Sequence, residues 1–539
     1  MNGAQAMIQC LDQENIHTIF GYPGVAIAPF YEALYGSDVR HVLVRQEQNA
    51  GHAASGFARI SGRPAVCVTT SGPGALNLIT AVATAYADSI PLIAVTGQVA
   101  RRLIGRDVFQ EADVIGAMEP FTKYRYMVRR ADDIPRVMKE AFYIASTGRK
   151  GPVLIDLPID VQQEELTQPF HYPEDVSIRG YKPHIKGNGQ QLRRVLQALK
   201  AAEKPLLCAG GGVISSGAQD LVRSFCEKHG IPAVTTMMGI GAFPSAHPLY
   251  YGMIGNNGRS YANKAMSESD LLIIAGARVA DRAMPNTRRL EETAKVIHID
   301  IDTAEIGKNI GPTIPLVGDL RDVFQRLLDQ ELQLDTSTWR EALAGWKDAA
   351  VDHRVHSPRL VDPNTLVQKL TARMDPDAVY CADVGQNQMW SAINYEMKEG
   401  RFLTTGGMGT MGYAVPCALG ARMAAPDRQT VAVCGDGAFQ MSFNELATAQ
   451  AEGVPMKVVV MRNHYLGLVK EYQDKNYGGH HSGVTLGDGP DFGKIACAYG
   501  MSYYEVSENQ ALDRILDRFL QDPGSALLVC QVDDVNNTK

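Results

Sequence analysis

The chain has 539 residues, 45% of them hydrophobic and 21% charged, with a formal net charge of −7. That length exceeds what one hydrophobic core supports, and at about 150 residues per domain it predicts three or four domains. The acidic balance, with no basic cluster, excludes nucleic acid as a main partner, and no apolar run is long enough to cross a bilayer.

Met1-Asn2-Gly3-Ala4-Gln5 opens directly into an amphipathic helical pattern, unlike a secretory leader. Nine cysteines without CxxC spacing predict reduced thiols in a cytoplasm, with Cys67 and Cys434 as small core residues. Short apolar runs alternate with helix-length segments throughout, which predicts doubly wound parallel α/β domains. The first domain, 1–165, has strand candidates at 17–20, 42–44, 65–69, 92–95 and 153–157. A Pro- and Gly-rich stretch from Pro169 to Gly189 reads as a linker. In the second domain, 188–335, a strand from Pro205 enters Gly210-Gly211-Gly212, followed by strands at 271–275 and 296–301. A charged helical region, Asp335 to Arg359, leads into the third domain, 360–539. The fold class is α/β, with three doubly wound parallel-sheet domains.

The third domain carries the most specific pattern. Val431–Cys434 runs into Gly435-Asp436-Gly437, a helix-like stretch follows from Ser442 to Ala451, and a second apolar run, Val458–Met461, ends at Asn463. Two neighbouring strand ends thereby bring a carboxylate and a carboxamide to one edge of a parallel sheet, where such folds bind ligands. Glycines let backbone N–H groups approach a diphosphate, and the two side-chain oxygens suit a hard cation bridging it. A generic Gly-Asp-Gly turn would lack the flanking strands and the closing Asn. The pattern resembles the thiamine-diphosphate-dependent enzymes. In them a carboxyl group at the aminopyrimidine helps remove the C2 proton, and a Glu buried among small apolar residues suits that task because desolvation raises its pKa. Glu47, after Val42–Val44 and before Ala50, Gly51, Ala53 and Ala54, matches it; the alternative is an exposed Glu favoured by a helix dipole.

The resemblance narrows to the acetohydroxyacid (acetolactate) synthase catalytic subunits and covers nearly the whole chain. It is carried by GYPG (21–24), TSGPGALNLIT (70–80), VTGQV (95–99), FQEAD (109–113), AFYIASTGRKGPVLIDLP (141–158), HIDID (298–302), VGD (317–319) and GQNQMW (385–390). It implies that pyruvate is decarboxylated to a hydroxyethyl carbanion, which condenses with pyruvate or 2-oxobutyrate in branched-chain amino-acid biosynthesis. It makes the three domains pyrimidine-binding, central FAD-type and diphosphate-binding. It implies Mg²⁺ and FAD, a homodimer or homotetramer with the active site across the dimer interface, and a small regulatory subunit.

By resemblance, thiamine diphosphate contacts Pro73, Asn77, Val384, Gly385, Gln386, Asn387, Met408, Gly409, Met411, Gly435, Asp436, Gly437, Ala438, Asn463, Tyr465, Leu466, Gly467 and Leu468. The Gly409 carbonyl accepts from the aminopyrimidine, Met411 props the bent cofactor, and Asp436, Asn463 and Tyr465 hold the metal. FAD contacts Arg149, Gly210, Gly211, Gly212, Thr236, Met237, Gly255, Asn256, Gly276, Arg278, Arg282, Asp300 and Asp319, although related enzymes leave this domain empty or bind ADP there. Phe109, Gln110, Arg282, Leu468 and Tyr472 face substrate, Lys123 lies at the access channel, and N–H groups around Gly24-Val25 stabilise an oxyanion.

Departures cluster at the same centre: Val25 for a second glycine, Gln46 for His, Asn256-Asn257 for Met-His, and Val279-Ala280-Asp281-Arg282 for Phe-Asp-Asp-Arg. Asn387 replaces His, Arg462 replaces Asn, and Tyr472 replaces the Trp that favours 2-oxobutyrate. Together with a C-terminal arm missing after Ala526–Val532, they predict a looser or differently closed pocket. They leave open another thiamine-dependent 2-oxo acid decarboxylase, carboligase or lyase on the same scaffold. A non-catalytic paralogue is opposed by the intact Glu47, Asp436 and Asn463.

Overall fold

The computed structural model describes residues 1–183, 185–351 and 357–538, so part of the helical region expected between Asp335 and Arg359 lies outside the described residues; within it, Ser337–Asp348 is a helix. Three six-stranded sheets follow one another along the chain. The first comprises β1 (Thr18–Tyr22), β2 (Arg40–Leu43), β3 (Ala65–Thr69), β4 (Leu92–Gln98), β5 (Tyr124–Met127) and β6 (Val153–Pro158), in the order β2-β1-β3-β4-β6-β5. The second comprises β7 (Pro205–Ala209), β8 (Ala233–Thr235), β9 (Tyr250–Met253), β10 (Leu271–Ala275), β11 (Lys295–Asp300) and β12 (Thr313–Val317), in the order β12-β11-β10-β7-β8-β9. The third comprises β13 (Val379–Ala382), β14 (Arg401–Leu403), β15 (Thr430–Gly435), β16 (Lys457–Arg462), β17 (Ser502–Val506) and β18 (Ala526–Gln531), in the order β14-β13-β15-β16-β18-β17. Every pairing between these strands is parallel.

The first and third sheets share one strand order, while the second has the order typical of dinucleotide-binding domains. Central strands such as β3, β4, β7 and β10 are buried along their whole length, which is why they read as continuous apolar runs. The segment expected to be a glycine turn before a helix at Ser442 differs. A helix begins at Asp436 itself (Asp436–Gln440), and a 3₁₀ turn, Phe443–Glu445, and a second helix, Leu446–Ala451, follow. A carboxylate in a helix's first turn is favourably placed against the N-terminal dipole, so the motif supplies its own helix start.

The first and third domains meet through helices Glu47–Ser61 and Ala414–Ala424. Small residues let the two backbones touch: a Cβ at Gly56 would overlap the Cys417 carbonyl, and one at Gly420 would overlap the Ala53 carbonyl. Buried polar groups then fix the register. Ser55 Oγ lies 2.9 Å from Tyr413 Oη, Arg59 donates to the Thr404 carbonyl (2.6 Å), and the buried Glu445 accepts from Asn49 Nδ2 (3.0 Å), Arg45 N (2.9 Å) and Thr448 Oγ1 (2.7 Å). Gly420→Ala is expected to destabilise the protein by at least ~1–3 kcal/mol through overpacking, seen as a lower unfolding midpoint. Gly345→Ala, in open space on helix Ser337–Asp348, is the control and is expected to gain about 0.5–1 kcal/mol.

Candidate active site

In the first and third sheets the strand order reverses between β1 and β3 and between β13 and β15, and ligands of doubly wound folds sit at such points. At the first edge, β1 leads through Gly24 into a 3₁₀ turn, Val25–Ile27, and β3 leads into Thr70-Ser71-Gly72-Pro73. A Cβ at Gly24 would lie 2.5 Å from Thr70 Cβ, and one at Gly72 would lie 2.8 Å from the Gln110 carbonyl oxygen. Gln110 itself is held at φ +59°. Asn77 Nδ2 donates to Glu47 Oε2 at 3.0 Å, and a Cβ at Gly74 would approach Glu47 Oε1 to 3.4 Å. The fold therefore gathers Glu47, Val25, Pro73, Asn77, Phe109 and Gln110 at one place.

The expectation that Glu47 is enclosed needs correcting. It starts a helix and is half-buried in the single chain. Around it Val25 and Phe109 are 78% and 87% exposed. Inside the edge, the buried hydroxyls of Thr69, Thr70 and Ser71 have no hydrogen-bond partner.

Lys123 belongs elsewhere. Its ammonium donates to the carbonyls of Ile144 and Thr147 (2.8 Å) at the end of helix Ile134–Ser146 and to Tyr181 Oη (3.0 Å), and burial pulls its pKa down to about 8. A lysine spent on terminal carbonyls caps a helix instead of facing a channel.

At the second edge, β15 and β16 are adjacent, and Asp436 and Asn463 stand just beyond their ends. Asp436 accepts from His464 N (2.8 Å) and Gly437 N (3.1 Å), and burial pushes its pKa up against those two bonds. Asn463 donates to Gln386 Oε1 (2.8 Å), and its oxygen accepts from Tyr465 N (3.1 Å). Gly467 packs on Gln386, and a Cβ at Gly437 would lie 2.7 Å from Leu466 and 3.7 Å from Met411 Cε. Asp383, fully buried and with its pKa pushed up to about 6 by burial, accepts from Val384 N (2.8 Å), Gly412 N (2.9 Å) and Ala414 N (2.8 Å). It thereby ties the loop 384–387 to the segment 408–412.

The residues present fit a diphosphate with a cation. Glycines at 385, 435 and 437 leave the backbone approachable, and one carboxylate plus one amide oxygen suits Mg²⁺, which keeps most of its shell for phosphate and water. Ala438, expected at the cofactor, is buried inside the short helix. Two departures are explained locally. Asn387 Nδ2 braces the Asp383 (2.8 Å) and Val433 (3.2 Å) carbonyls, and Arg462 turns to the Asp488 carbonyl and the Phe492 ring.

A cavity of about 710 Å³ opens at the switch point between β7 and β10 and extends to the third domain. Its walls include Arg149, Gly211, Gly212, Thr236, Met237, Asn256, Gly276, Arg278, Arg282, Asp300 and Asp319, and at the far end Val384, Gly409, Leu468 and Tyr472. The size suits a cofactor or drug-sized ligand. Burial pushes Asp300 up to about 6, and its Oδ1 accepts from Asp302 N (2.9 Å); the second oxygen of such a carboxyl group suits a ribose hydroxyl. Gly210 and Gly255 lie behind the lining. A Cβ at Gly210 would overlap Gly276 and one at Gly255 would overlap the Arg282 carbonyl, so close backbone packing explains these glycines.

Arg149 is engaged by Glu305 (2.9 Å) and Asp302 (3.2 Å), whereas Arg282 is largely exposed, with Asp281 3.8 Å away. Sequence reasoning missed the wall formed by Asp533–Thr538. Trp390 Nε1 donates to the Asn537 carbonyl (3.1 Å), and Thr538 Oγ1 donates to Glu471 (2.8 Å) and accepts from Asn257 (3.1 Å). Of the looser or differently closed pocket expected, the structure shows a differently closed one on this side, where Thr538 lines the cavity.

These edges match known family models: the thiamine pyrophosphate enzyme N-terminal TPP-binding domain over residues 1–117, the central domain over 192–327 and the C-terminal TPP-binding domain over 383–530. The chain is 44% identical to the probable acetolactate synthase large subunit of Methanocaldococcus jannaschii over 93% of its own length and 87% of that protein. It is 45% identical to the acetolactate synthase large subunit of Corynebacterium glutamicum (90% and 79% covered) and 40% identical to the isozyme 3 large subunit of Escherichia coli (97% and 92%). The chain belongs to the acetolactate synthase large-subunit family. It is a thiamine-pyrophosphate-dependent enzyme, and the sheet edges described above lie in its two TPP-binding domains. Removing the paired oxygens at the second edge, by Asp436→Ala or Asn463→Ala, is expected to weaken thiamine diphosphate binding about tenfold or more in fluorescence titrations with Mg²⁺.

Proposed function

We propose that this chain is the catalytic subunit of an acetolactate synthase that decarboxylates pyruvate and joins the two-carbon unit to a second 2-oxo acid, pyruvate or 2-oxobutyrate, in branched-chain amino-acid biosynthesis. The observation that carries the reading is the cavity running from the dinucleotide-type switch point to Gly409, Leu468 and Tyr472. Its reach from the central domain to Leu468 and Tyr472 gives room for a second 2-oxo acid beside the thiamine edge.

When bound, thiamine diphosphate supplies the electron sink for loss of carbon dioxide from a 2-oxo acid. The chain's own residues do the rest. Asn77 fixes one oxygen of Glu47, leaving the other to share a proton with the pyrimidine nitrogen. The Gly409 carbonyl would accept from the pyrimidine amino group, and Asp436, Asn463 and Tyr465 would hold Mg²⁺, which would neutralise the charge of the diphosphate. The outward N–H groups of the 3₁₀ turn at Val25 meet oxyanion charge, Gln110 and Phe109 border the reacting carbon, and Arg282 offers its cation to the carboxylate of the second 2-oxo acid. The central cavity would hold FAD, with Asp300 accepting from its ribose.

Glu47, Val25 and Phe109 are open to solvent on the single chain, which supports a homodimer, or a pair of dimers, in which they close over the diphosphate edge of the partner. A small regulatory subunit completes the reading, since the relatives are large subunits. A cytoplasmic location fits nine cysteines that are all free, eight of them buried.

Purified protein given thiamine diphosphate, Mg²⁺, FAD and pyruvate is expected to release acetolactate; acetaldehyde alone would point to a decarboxylase. Glu47→Gln is expected to lower kcat by about 10²-fold or more with unchanged far-UV circular dichroism, and full activity would refute the proton-transfer role. Tyr472→Trp enlarges the aromatic face at the acceptor end of the cavity. In competition assays it is expected to raise preference for 2-oxobutyrate over pyruvate about tenfold.

A further inference from the structure

We propose that Asp88 is a positioning residue for the thiamine site: reaching out of the first domain, its carboxylate fixes the Gly406-Gly407 turn of the third domain and so aims the Gly409 carbonyl at the cofactor. The inference rests on the thiamine reading above, not on which 2-oxo acids react.

Among the described residues, the segment from Thr404 to Gly412 is held within its own domain mainly near its ends, with one weak internal bond from Thr410 N to Thr405 Oγ1 (3.4 Å). Thr404 Oγ1 donates to the Ala382 carbonyl (2.9 Å), Gln388 Nε2 donates to Thr404 Oγ1 (2.7 Å) and the Thr405 carbonyl (2.9 Å), and Gly412 N donates to Asp383 (2.9 Å). Its middle is neither helix nor strand. Met408 is 53% exposed, and Gly409 adopts φ +66° with nothing within 4 Å of where a Cβ would stand. What fixes that middle comes from the end of helix Ile79–Ala87.

Asp88, the residue after the helix, accepts from Gly407 N at 2.8 Å and from Gly406 N at 3.3 Å. Thr410 Oγ1 lies 2.7 Å from Thr84 Oγ1. Because the Thr84 hydroxyl donates to the Thr80 carbonyl (2.7 Å), Thr410 is the donor of that pair. The turn sits directly on the helix end, since a Cβ at Gly407 would fall 2.6 Å from Ala87 Cβ. A carboxylate at a helix C-terminus is opposed by the dipole. Here the two glycine N–H groups and the guanidinium groups of Arg59 and Arg278 offset that cost, pulling down a pKa that burial pushes up. Arg59 also donates to the Thr404 carbonyl at 2.6 Å, so charge and hydrogen bonds converge on one short segment.

Asp88→Asn keeps the volume and one acceptor oxygen, but it replaces the second oxygen, which faces Gly406 N (3.3 Å), with an N–H donor and removes the carboxylate facing both arginines. In the full chain it is expected to weaken thiamine diphosphate binding about tenfold, ~1.4 kcal/mol, in a fluorescence titration with Mg²⁺. It is also expected to reduce the near-UV circular dichroism band of the imino form of the bound pyrimidine and to lower kcat, with KM for pyruvate within about twofold. Thr84→Val is expected to move the same band less, and Thr84→Ser to match the wild type. A folded Asp88→Asn protein with wild-type affinity and the wild-type band overturns the proposal, whatever its turnover. If Asp88→Asn yields no folded protein, Thr84→Val decides: a reduced band supports the proposal and a wild-type band overturns it. Wild-type protein that binds thiamine diphosphate but forms no acetolactate refutes the acetolactate reading alone. Wild-type protein that binds no thiamine diphosphate overturns both.

Discussion

Helices Glu47–Ser61 and Ala414–Ala424 approach until only glycine fits, at Gly56 against Cys417 and at Gly420 against Ala53. Each helix carries a functional group at its N-terminal end: Glu47 opens the first, and the 408–412 segment runs into the second. With the backbones in contact, neither helix can slide or rotate without collision, because packed interiors deform little. Glu47 and the 408–412 segment, proposed above to handle the proton and meet the pyrimidine, are thus set by one seam, which the buried Glu445 locks in register through Asn49 and Arg45.

The three sheets show how one architecture is divided between tasks. The outer two share a strand order and present their switch points, Gly24 with Thr70 and Gly385 with Gly435, as the edges where the pyrimidine and diphosphate ends of the cofactor are read. The central sheet reverses between β7 and β10, and the cavity opens there. The glycines after β7 serve that turn first by packing: Gly210 and Gly212 lie against Gly276, and only Gly211 and Gly212 also reach the cavity wall.

Burial decided what could be read from the sequence. β3 and β10 lie where their apolar runs place them, because both faces are covered and every side chain reports the same environment. The edge strands β5 and β17 were missed because Tyr124–Met127 and Ser502–Val506 mix polar and apolar residues on partly exposed faces. The placement of Asp436 and Asn463 side by side was legible because local geometry fixes it, two adjacent strands each followed by an oxygen-bearing side chain. Lys123 was misplaced because its partners, the Ile144 and Thr147 carbonyls and Tyr181, are brought to it only by tertiary folding. Asp88 did leave a trace, a carboxylate closing an otherwise apolar helix at the end its dipole disfavours, but the glycine N–H groups that satisfy it lie more than 300 residues away.

The stretch from Asn77 to Asp88 links these observations mechanically. At its start Asn77 holds Glu47, and at its end Asp88 holds the Gly406-Gly407 turn, with one helix, Ile79–Ala87, between them. That helix of nine residues, rising about 1.5 Å per residue, separates the two contacts. In the dimer proposed above, Glu47 of a chain serves one bound cofactor while Gly409 of the same chain serves the other. One short helix then touches the machinery of both sites. Asn77 fixes one Glu47 oxygen before it and Asp88 the Gly406-Gly407 turn after it, so a single stretch of the first domain is shared between the two sites of that dimer.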